Sequence, residues 1–275
     1  MSSAVSDSLH TASLTNTGSV RAVNQDACQE FERSDGWQLL VVADGMGGHA
    51  GGERASHLAL EAIGQVFAAG SKDAEALLRE AYEAANAHIL AEAASDPQLD
   101  GMGTTAVSLL IHPGGAVTAN VGDSRAYRLR AHRIEALTED HSWVQTEVRK
   151  GRLSPEEAKT HPYRNRLVRC LGYDPGVMVD VRAVNLELGD TFLLCSDGLW
   201  GELAESEIVR ILEAKDLQQA VKTLVESADQ NGGRDNITAV VARLGESSVS
   251  ESRRAGEGRS ENAILRWFRG LRRRA

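Results

Sequence analysis

The order of strands and helices in the sequence predicts an α+β fold built on antiparallel β-sheets. Short segments with strand character follow one another in groups, and pairs of amphipathic helices separate these groups. Consecutive strands of this kind pair as antiparallel neighbours, whereas a doubly wound parallel sheet needs a helix between successive strands. We therefore expect antiparallel sheets with the helices segregated outside them.

The first group contains three strands, which we predict at residues 9–14, 26–31 and 37–43 from their apolar and β-branched content. Two helices follow, because apolar residues recur there at every third or fourth position. These positions are Ala55, Leu58, Ala59, Ala62, Ile63, Val66 and Phe67 in the first helix and Ala74, Leu77, Leu78, Ala81, Ala85 and Ile89 in the second.

The remaining elements repeat this order. The predicted strands are 104–111, 116–121, 125–129, 133–137, 179–184, 191–195 and 237–242, and the predicted helices are 206–214 and 217–228. Between the fourth and fifth of these strands, residues 142–165 are rich in charge, which is typical of a solvated helical excursion. Its charged residues are Glu147, Arg149, Lys150, Arg152, Glu156, Glu157 and Lys159.

The composition fits one domain with one core. At 275 residues, with 42% hydrophobic and 4% aromatic content, the chain can bury a sizeable core made mainly of Ala, Val and Leu. Cys28, Cys170 and Cys195 contain no Cys-x-x-Cys pair, which argues against a disulfide framework or a thiolate zinc site. No stretch is long and apolar enough to cross a bilayer, and no signal pattern is present. We expect a cytoplasmic monomer.

Charge is divided unevenly along the chain. Residues 253–275 hold eight Arg and two Glu, a net of +6, and because the whole chain carries −9 the remainder carries −15. An acidic body argues against nucleic acid as a partner, since phosphate backbones are bound mainly through Lys and Arg. The acidic body favours cations instead.

Four acidic clusters predict where such cations bind. They are Asn24-Gln25-Asp26, Asp44-Gly45-Met46-Gly47-Gly48, Ser196-Asp197-Gly198 and Arg234-Asp235-Asn236. Asp44, Asp123 and Asp197 come just after apolar predicted strands, where a carboxylate is rigidly held yet exposed. Any one cluster alone is more typical of an ordinary turn. Together they predict a site for Mg²⁺ or Mn²⁺, which prefer oxygen ligands.

Eight motifs in order carry a resemblance to a known family. They are Gly18-x-x-Arg21-x-x-Asn24-Gln25-Asp26, Val42-Ala43-Asp44-Gly45-Met46-Gly47-Gly48-His49, Gly103-Thr104-Thr105, Val121-Gly122-Asp123-Ser124-Arg125, Asp140-His141-Ser142, Leu171-Gly172, Cys195-Ser196-Asp197-Gly198-Leu199 and Asp235-Asn236-Ile237-Thr238. From about residue 9 to 244 the chain resembles the metal-dependent protein phosphatases, the serine/threonine type 2C class, in their bacterial form. The resemblance implies a four-layer α-β-β-α sandwich, two antiparallel sheets flanked by helix pairs, with the charged segment as a flap beside the active site.

The resemblance also implies a set of metal ligands. The implied reaction is hydrolysis of phosphoserine and phosphothreonine in proteins by water activated on two Mn²⁺ or Mg²⁺ ions. Asp44 would bridge the ions and the Gly45 carbonyl would bind one of them, while Asp197 and Asp235 would bind the other. Asp123 would join Asp197 in a third, weaker metal site. The alternative for Asp123 is a turn carboxylate that pairs with Arg125 or a main-chain amide.

The other implied catalytic residues surround these ligands. Asp26 would orient metal-bound water, and Arg21 would hold the phosphate because its planar guanidinium matches two phosphoryl oxygens. Gln25 stands where many members have Glu. Met46 stands where eukaryotic members have a His proposed as proton donor, and a thioether cannot donate a proton. His49 is the candidate donor instead, although a His on a glycine-rich turn is as often a surface residue.

Beyond a catalytic domain at residues 1–244 we expect a disordered linker at 245–262 and a basic amphipathic helix at 263–275. In that helix one side carries Ile264, Leu265, Trp267, Phe268 and Leu271 and the other carries Arg266, Arg269 and Arg273. Such a helix can bind anionic lipid or an acidic partner, or fold back on the acidic body.

Two other functions stay open at this point. One is a catalytically dead phosphoprotein-binding module, which should have lost metal carboxylates, yet Asp26, Asp44, Asp197 and Asp235 are all present. The other is a phosphatase of small phosphorylated metabolites. For a protein phosphatase, the implied partners are a bacterial Ser/Thr kinase and its phosphorylated targets.

Overall fold

The computed structural model describes residues 9–71 and 73–245. In this part of the chain the strands form two sheets, and helices lie on the outer face of each. The strands are β1 (Leu9–Asn16), β2 (Asp26–Glu32), β3 (Gln38–Met46), β4 (Gly103–Thr104), β5 (Ala106–His112), β6 (Gly115–Val121), β7 (Arg125–Arg130), β8 (Arg133–Ala136), β9 (Asp180–Val184), β10 (Thr191–Cys195) and β11 (Ile237–Leu244). The helices are α1 (Gly48–Ala69), α2 (Ala74–Ser95), α3 (Trp143–Arg149), α4 (Pro155–Thr160), α5 (Asp197–Trp200), α6 (Glu205–Leu212) and α7 (Leu217–Gln230).

Both sheets are antiparallel, as the grouping of strands predicts. One sheet has the order β1-β11-β10-β7-β8 and the other has the order β2-β3-β5-β6-β9. The short strand β4 pairs with the end of β3. The last strand, β11, lies between β1 and β10, so the two ends of the described chain meet inside one sheet.

Alternation of side chains along β3 explains the four layers. Leu39 and Val41 belong to an apolar layer with α1 and α2, whereas Leu40 and Val42 belong to the layer between the two sheets. β10 alternates in the same way between the intersheet layer and the layer with α6 and α7. Each fully buried Leu or Val contributes about 1.5–3 kcal/mol to stability. The predicted α-β-β-α sandwich is therefore confirmed.

Side-chain caps mark where several helices begin. The Asp73 carboxylate accepts backbone hydrogen bonds in the first turn of α2, and the Asp216 carboxylate does the same at α7. Ser154 and Glu157 form a reciprocal capping box at α4. These acceptors satisfy N–H groups that the first helical turn leaves unpaired, and each is worth about 1 kcal/mol.

Two predicted strand boundaries near the acidic residues are wrong. The strand that we predicted to end before Asp44 continues to Met46, because β2 pairs with it as far as Asp44 and β4 pairs with its last two residues. The strand predicted at 104–111 is divided into β4 and β5. Thr105 lies at the break, where its hydroxyl accepts a hydrogen bond from the Asp44 N–H at 3.1 Å.

The charge-rich segment at 142–165 contains the short helices α3 and α4, which confirms its helical character. Its charges pair largely with one another. Lys159 and Glu156, for example, lie 2.9 Å apart, and both side chains are exposed. Exposed pairs of this kind are worth only about 0–1 kcal/mol, so they solvate the segment more than they stabilise it.

The linker predicted at 245–262, apart from its first residue, and the helix predicted at 263–275 lie outside the described residues. Among the helices that are described, none combines the length and the apolar character needed to cross a membrane. Cys28, Cys170 and Cys195 are free thiols, and Cys195 lies in the buried layer beneath α6 and α7.

Candidate metal centre and catalytic cleft

Strand direction brings the predicted acidic residues to one end of the sandwich. Because neighbouring strands are antiparallel, β3, β6 and β10 end where β2 and β11 begin. Asp44, Asp123, Asp197 and Asp235 all line a cleft of about 930 Å³ at this end. Residues separated by more than half the chain thus share one site.

Asp44 is fixed by its backbone on both sides. Its N–H donates to the Thr105 hydroxyl, and its carbonyl accepts from the Thr105 N–H at 2.9 Å and from the Thr104 hydroxyl at 2.8 Å. In the β2–β3 register, Asp44 lies opposite Asp26. Two carboxylates therefore stand side by side on a rigid pair of strands. The adjacent threonines belong to a motif in the sequence, but the sequence alone gives them no role.

Asp26 is buried behind the cleft, with only 5% of its surface exposed. Its Oδ2 accepts hydrogen bonds from the hydroxyls of Ser196 at 2.6 Å and Thr238 at 2.7 Å. Its Oδ1 is buried without a hydrogen-bond partner. Burial raises the pKa of Asp26 to about 7, against the lowering effect of the two hydroxyls. Ser196 and Thr238 both stand in motifs of the sequence, but the sequence alone gives them no role.

Asp197 is the first residue of α5, directly after β10. Its Oδ1 is also buried without a hydrogen-bond partner. Burial and then the negative charge of Asp235 raise the pKa of Asp197 to about 6. Burial, followed by the charges of Asp26 and Asp197, raises the pKa of Asp44 well above its ordinary value.

Asp123 follows β6, as predicted, and only 6% of it is exposed. Of the two predicted alternatives for Asp123, the ion pair with Arg125 does not form, whereas a main-chain amide does donate a hydrogen bond to the Asp123 carboxylate. Arg125 instead makes a bidentate pair with Asp140 at 2.8 and 2.7 Å and stacks over the Trp200 ring at 3.5 Å. Trp200 in turn donates its indole N–H to the Asp123 carbonyl at 3.0 Å. Burial and the Asp197 charge raise the pKa of Asp123 to about 8.

These acids fit a site for divalent cations. These carboxylates are buried, repel one another and have raised pKa values, so a positive charge between them would stabilise their ionised forms. The Oδ1 atoms of Asp26 and Asp197 have no hydrogen-bond partner. No three His, Cys, Asp or Glu side chains in the described residues are spaced as a preformed cage. Mg²⁺ needs no such cage, because it usually keeps several waters and takes one or two carboxylates.

Only glycine fits at position 45, because the neighbouring backbone leaves no room for a side chain. The Gly45 N–H donates to the Gln25 carbonyl at 3.1 Å, and a Cβ at this position would lie 2.0 Å from the Gly52 carbonyl oxygen. No side chain fits at that distance. The backbone of residue 45 is therefore pressed between the loop before β2 and the first turn of α1, at the edge of the cleft.

Arg21 lines the cleft and contacts a predicted metal ligand. Its Nη2 donates to Asp235 Oδ2 at 2.6 Å, and its Nε donates to the Arg234 carbonyl at 3.3 Å. Sequence analysis assigned Arg21 to phosphate and did not predict this ion pair. About half of the Arg21 side chain is exposed, so it is accessible from the cleft.

Asn236 holds the loop that carries Arg21. Its Oδ1 accepts from the Gln25 N–H at 2.8 Å, and its Nδ2 donates to the carbonyls of Thr17 at 2.9 Å and Val23 at 3.0 Å. A motif position with no assigned role thus ties β11 to the loop between β1 and β2.

His49 is the candidate proton donor, because the side chain of Met46 cannot donate a proton. Met46 lines the cleft, where its thioether offers no acidic proton. His49 lies in the first turn of α1, but its side chain is outside the described residues. The proposed role of His49 therefore stays a prediction.

The segment predicted as a flap, residues 142–165, contributes to the cleft through residues near its two ends, Trp143 and Asn165. Its charged residues from 147 to 159 do not line the cleft. Beyond the predicted flap, the wall continues with residues 166–170, 173, 174 and 176–178.

Comparison with known proteins agrees with this geometry. Residues 17–242 match the protein phosphatase 2C family. The serine/threonine phosphatase stp of Listeria monocytogenes is 38% identical to this chain over 85% of the chain and 95% of the relative. The crystal structure of the Mycobacterium tuberculosis serine/threonine phosphatase PstP/Ppp has a TM-score of 0.78 at 38% identity, over 86% of this chain and 99% of its own.

A further structure contains metal ions. The catalytic domain of the serine/threonine protein phosphatase PstP, crystallised in complex with two manganese ions, has a TM-score of 0.76 at 36% identity, over 86% of this chain and 98% of its own. The family match covers most of the chain, and the similarity extends through both sheets. The chain belongs to the protein phosphatase 2C family.

Proposed function

We propose that this protein is a metal-dependent serine/threonine protein phosphatase that hydrolyses phosphoserine and phosphothreonine side chains. The observation that carries the proposal is the cleft in which Asp44, Asp123, Asp197 and Asp235 meet Arg21. Such a cleft offers carboxylates to cations and a guanidinium to a phosphoryl group. The names of the relatives support the same activity.

Two Mn²⁺ or Mg²⁺ ions are proposed to bind in this cleft, where Asp44 would be a ligand of both ions, the Gly45 carbonyl a ligand of one, and Asp197 and Asp235 ligands of the other. When bound, the two ions neutralise charge on the phosphoryl group and lower the pKa of water. Asp26, behind Asp44, is proposed to orient water through the oxygen that has no protein partner. The two manganese ions in the PstP structure support this number.

A third, weaker ion is proposed at Asp123 together with Asp197. The raised pKa of Asp123, which burial and the charge of Asp197 cause, supports a place for positive charge there. The pairing of Arg125 with Asp140 also supports it, because Arg125 leaves the Asp123 carboxylate to the cleft.

Arg21 is proposed to bind the phosphoryl oxygens. Its present partner is Asp235, so substrate and Asp235 compete for one guanidinium. Asp235 would also hold a metal ion, whose positive charge would take the place of the Arg21 guanidinium beside this carboxylate. His49 is proposed as the proton donor to the leaving alkoxide, because its position in the first turn of α1 is next to the Gly47 edge of the cleft.

Assays with and without chelator test the function. Hydrolysis of a phosphothreonine peptide should require added Mn²⁺ or Mg²⁺ and stop with EDTA. Sugar phosphates should be turned over at least about tenfold less efficiently, because the cleft wall gives a peptide more contacts. Peptide hydrolysis that continues in EDTA would refute the metal-dependent mechanism. Preference for sugar phosphates would favour the metabolite phosphatase, and no hydrolysis of any phosphate ester would favour the dead binding module.

The proposed partners are phosphorylated proteins and the Ser/Thr kinase that modifies them, and the proposed location is the cytoplasm. The basic segment at 263–275 is proposed to bind anionic lipid reversibly, at about 1 kcal/mol per basic residue near the surface. Truncation after Leu244 should preserve aryl phosphate turnover and abolish sedimentation with anionic vesicles at low salt. Failure of the full chain to sediment would refute lipid binding, and a lower Tm on truncation would favour docking on the body.

A further inference from the structure

Exposed apolar side chains are concentrated at the catalytic cleft. Within residues 9–71 and 73–245, the large apolar side chains that are exposed are Val20, Tyr163, Val168, Tyr173 and Met178. Three of these line the same cleft as Asp44 and Asp197, with exposed fractions of 49% for Val168, 79% for Tyr173 and 68% for Met178. A concentration of exposed apolar surface usually marks a binding site.

The backbone on both sides of Tyr173 is anchored from behind. Asn86 of α2, which is 1% exposed, accepts from the Gly172 N–H at 2.7 Å and donates to the Asp174 carbonyl at 2.8 Å. These bonds hold the residues immediately before and after Tyr173 against a long helix. Tyr173 is therefore presented to the cleft by a fixed backbone, and not by a free loop.

Met178 is held in a similar way. Arg79 of α2 donates to the carbonyl of the next residue, Val179, at 3.1 Å. Arg169, adjacent to Val168, donates to the Met178 carbonyl at 3.5 Å and to the Asp180 carboxylate at 2.7 Å. The backbones that carry the apolar residues are thus connected to each other and to α2. A surface that is ordered before binding costs less to bring into a complex.

The size of the cleft indicates which kind of ligand covers these apolar side chains. A volume of about 930 Å³ is near the upper end for small-ligand sites and exceeds what one phosphorylated side chain fills. The carboxylates and Arg21 occupy one part of the lining, and the apolar residues belong to the same lining. A chain that places its phosphate near Asp44 brings its neighbouring residues along the rest of the cleft.

We propose that Val168, Tyr173 and Met178 form an apolar subsite that binds a bulky apolar side chain flanking the phosphorylated residue of a protein substrate. The inference rests on the proposed function and adds the class of substrate. The subsite favours phosphoserine or phosphothreonine in an extended segment with leucine, methionine or an aromatic residue close by. Polar or glycine-rich segments leave the subsite without a partner and are poorer substrates.

Two phosphothreonine peptides test the subsite in the full chain loaded with Mn²⁺. One peptide carries leucines on both sides of the phosphothreonine, and the other carries serines at those positions. We expect the leucine peptide to have about tenfold higher kcat/KM in the wild-type protein. The double variant Tyr173→Ala/Met178→Ala should lose this preference, and kcat/KM for para-nitrophenyl phosphate, which has no flanking residue, should fall less than kcat/KM for the leucine peptide.

Two further variants control for other causes. Tyr163→Ala removes a flap tyrosine that is exposed but does not line the cleft, so the leucine preference should remain. Tyr173→Phe keeps the apolar ring and should retain the preference, whereas dependence on the hydroxyl would contradict an apolar contact. Equal kcat/KM for both peptides in the wild-type protein would contradict the apolar subsite but not the proposed phosphatase activity. Absence of hydrolysis of both peptides and of the aryl phosphate overturns the proposed function itself, and the subsite with it.

Discussion

At the residue scale, Arg21 is placed between two anions. It binds Asp235 in the structure, and the proposed reaction requires it to bind phosphate. The side chains of this pair are 51% and 33% exposed, and pairs as accessible as this one contribute about 0–1 kcal/mol. The ion pair is therefore weak enough to exchange for a doubly charged phosphoryl group.

We predict that Arg21→Ala raises KM for a phosphopeptide about tenfold or more, with a smaller effect on kcat. Arg21→Lys should not fully rescue KM, because a point charge cannot bind two oxygens side by side. Metal affinity, measured by calorimetry, should not fall in either variant, since Asp235 loses a competitor. Equal KM values for the wild type and both variants would contradict phosphate binding by Arg21.

The sequence was sufficient to predict the site's carboxylates but not how they are supported. Asp44, Asp197 and Asp235 stand in motifs next to strands, so local patterns identify them. The hydroxyl of Thr238 reaches Asp26 across 212 residues of chain, which only the pairing of strands into sheets can bring about. No local signal records such a contact, and the Arg21–Asp235 pair escaped prediction for the same reason.

At the element scale, α2 both covers one sheet and positions the cleft wall. Its apolar face belongs to the layer over β3, β5 and β6, and Asn86 on the same helix binds the loop at residues 172–174. The periodicity of α2 predicted the helix, because burial imposes a regular spacing. Periodicity gave no sign that its buried Asn would hold a loop, since that contact depends on the chain 86 residues further on.

We predict that Asn86→Ala lowers the free energy of unfolding by about 1–3 kcal/mol, because it removes the two hydrogen bonds that the buried Asn86 side chain makes to the backbone of Gly172 and Asp174. It should also lower phosphopeptide kcat/KM more than para-nitrophenyl phosphate kcat/KM, because the loosened loop lies on the peptide side of the cleft. Urea unfolding and parallel kinetics on the two substrates would measure both effects. Equal losses on the two substrates would show that α2 acts on the metal centre and not on the wall.

Strand boundaries were the least predictable elements. β3 runs past Asp44 because β2 and β4 offer it partners there, and the strand predicted at 104–111 breaks where Thr105 turns to the Asp44 backbone. Composition does not encode which partner a strand end will meet. The four layers were predictable, since each strand's alternation of side chains already divides it between two apolar layers.

At the scale of the whole molecule, the buried aspartates lie where the two sheets meet, and the repulsion between their charges lowers the stability of the folded protein. Burial is the main cause that raises the pKa of Asp26 to about 7 and of Asp123 to about 8. Acids whose pKa is higher in the folded than in the unfolded chain bind more protons when folded. Their effect is to reduce stability as the pH rises toward those folded values, unless cations compensate.

We predict that the Tm of the metal-free protein falls by several degrees between about pH 6.5 and about pH 8, levels off above the folded pKa of Asp123, and loses most of this fall when Mn²⁺ or Mg²⁺ is added. Burial lowers the pKa values of His112 and His141 below the ordinary value of 6.5, so these two histidines are already neutral in this window. Calorimetric scans in EDTA would measure the slope, and Asp123→Asn should flatten it. A Tm that stays constant or rises across this window in EDTA would contradict the repulsion.

The most direct test of the carboxylate centre is Asp44→Asn, because the change removes charge and keeps shape. We predict a folded protein, by circular dichroism and Tm, whose turnover of a phosphothreonine peptide falls about a thousandfold and whose calorimetric binding of Mn²⁺ is lost or greatly weakened. Asp100→Asn, at an exposed carboxylate outside the cleft, is the matched control and should behave as wild type. A folded Asp44→Asn protein with wild-type turnover and wild-type Mn²⁺ binding would contradict the account.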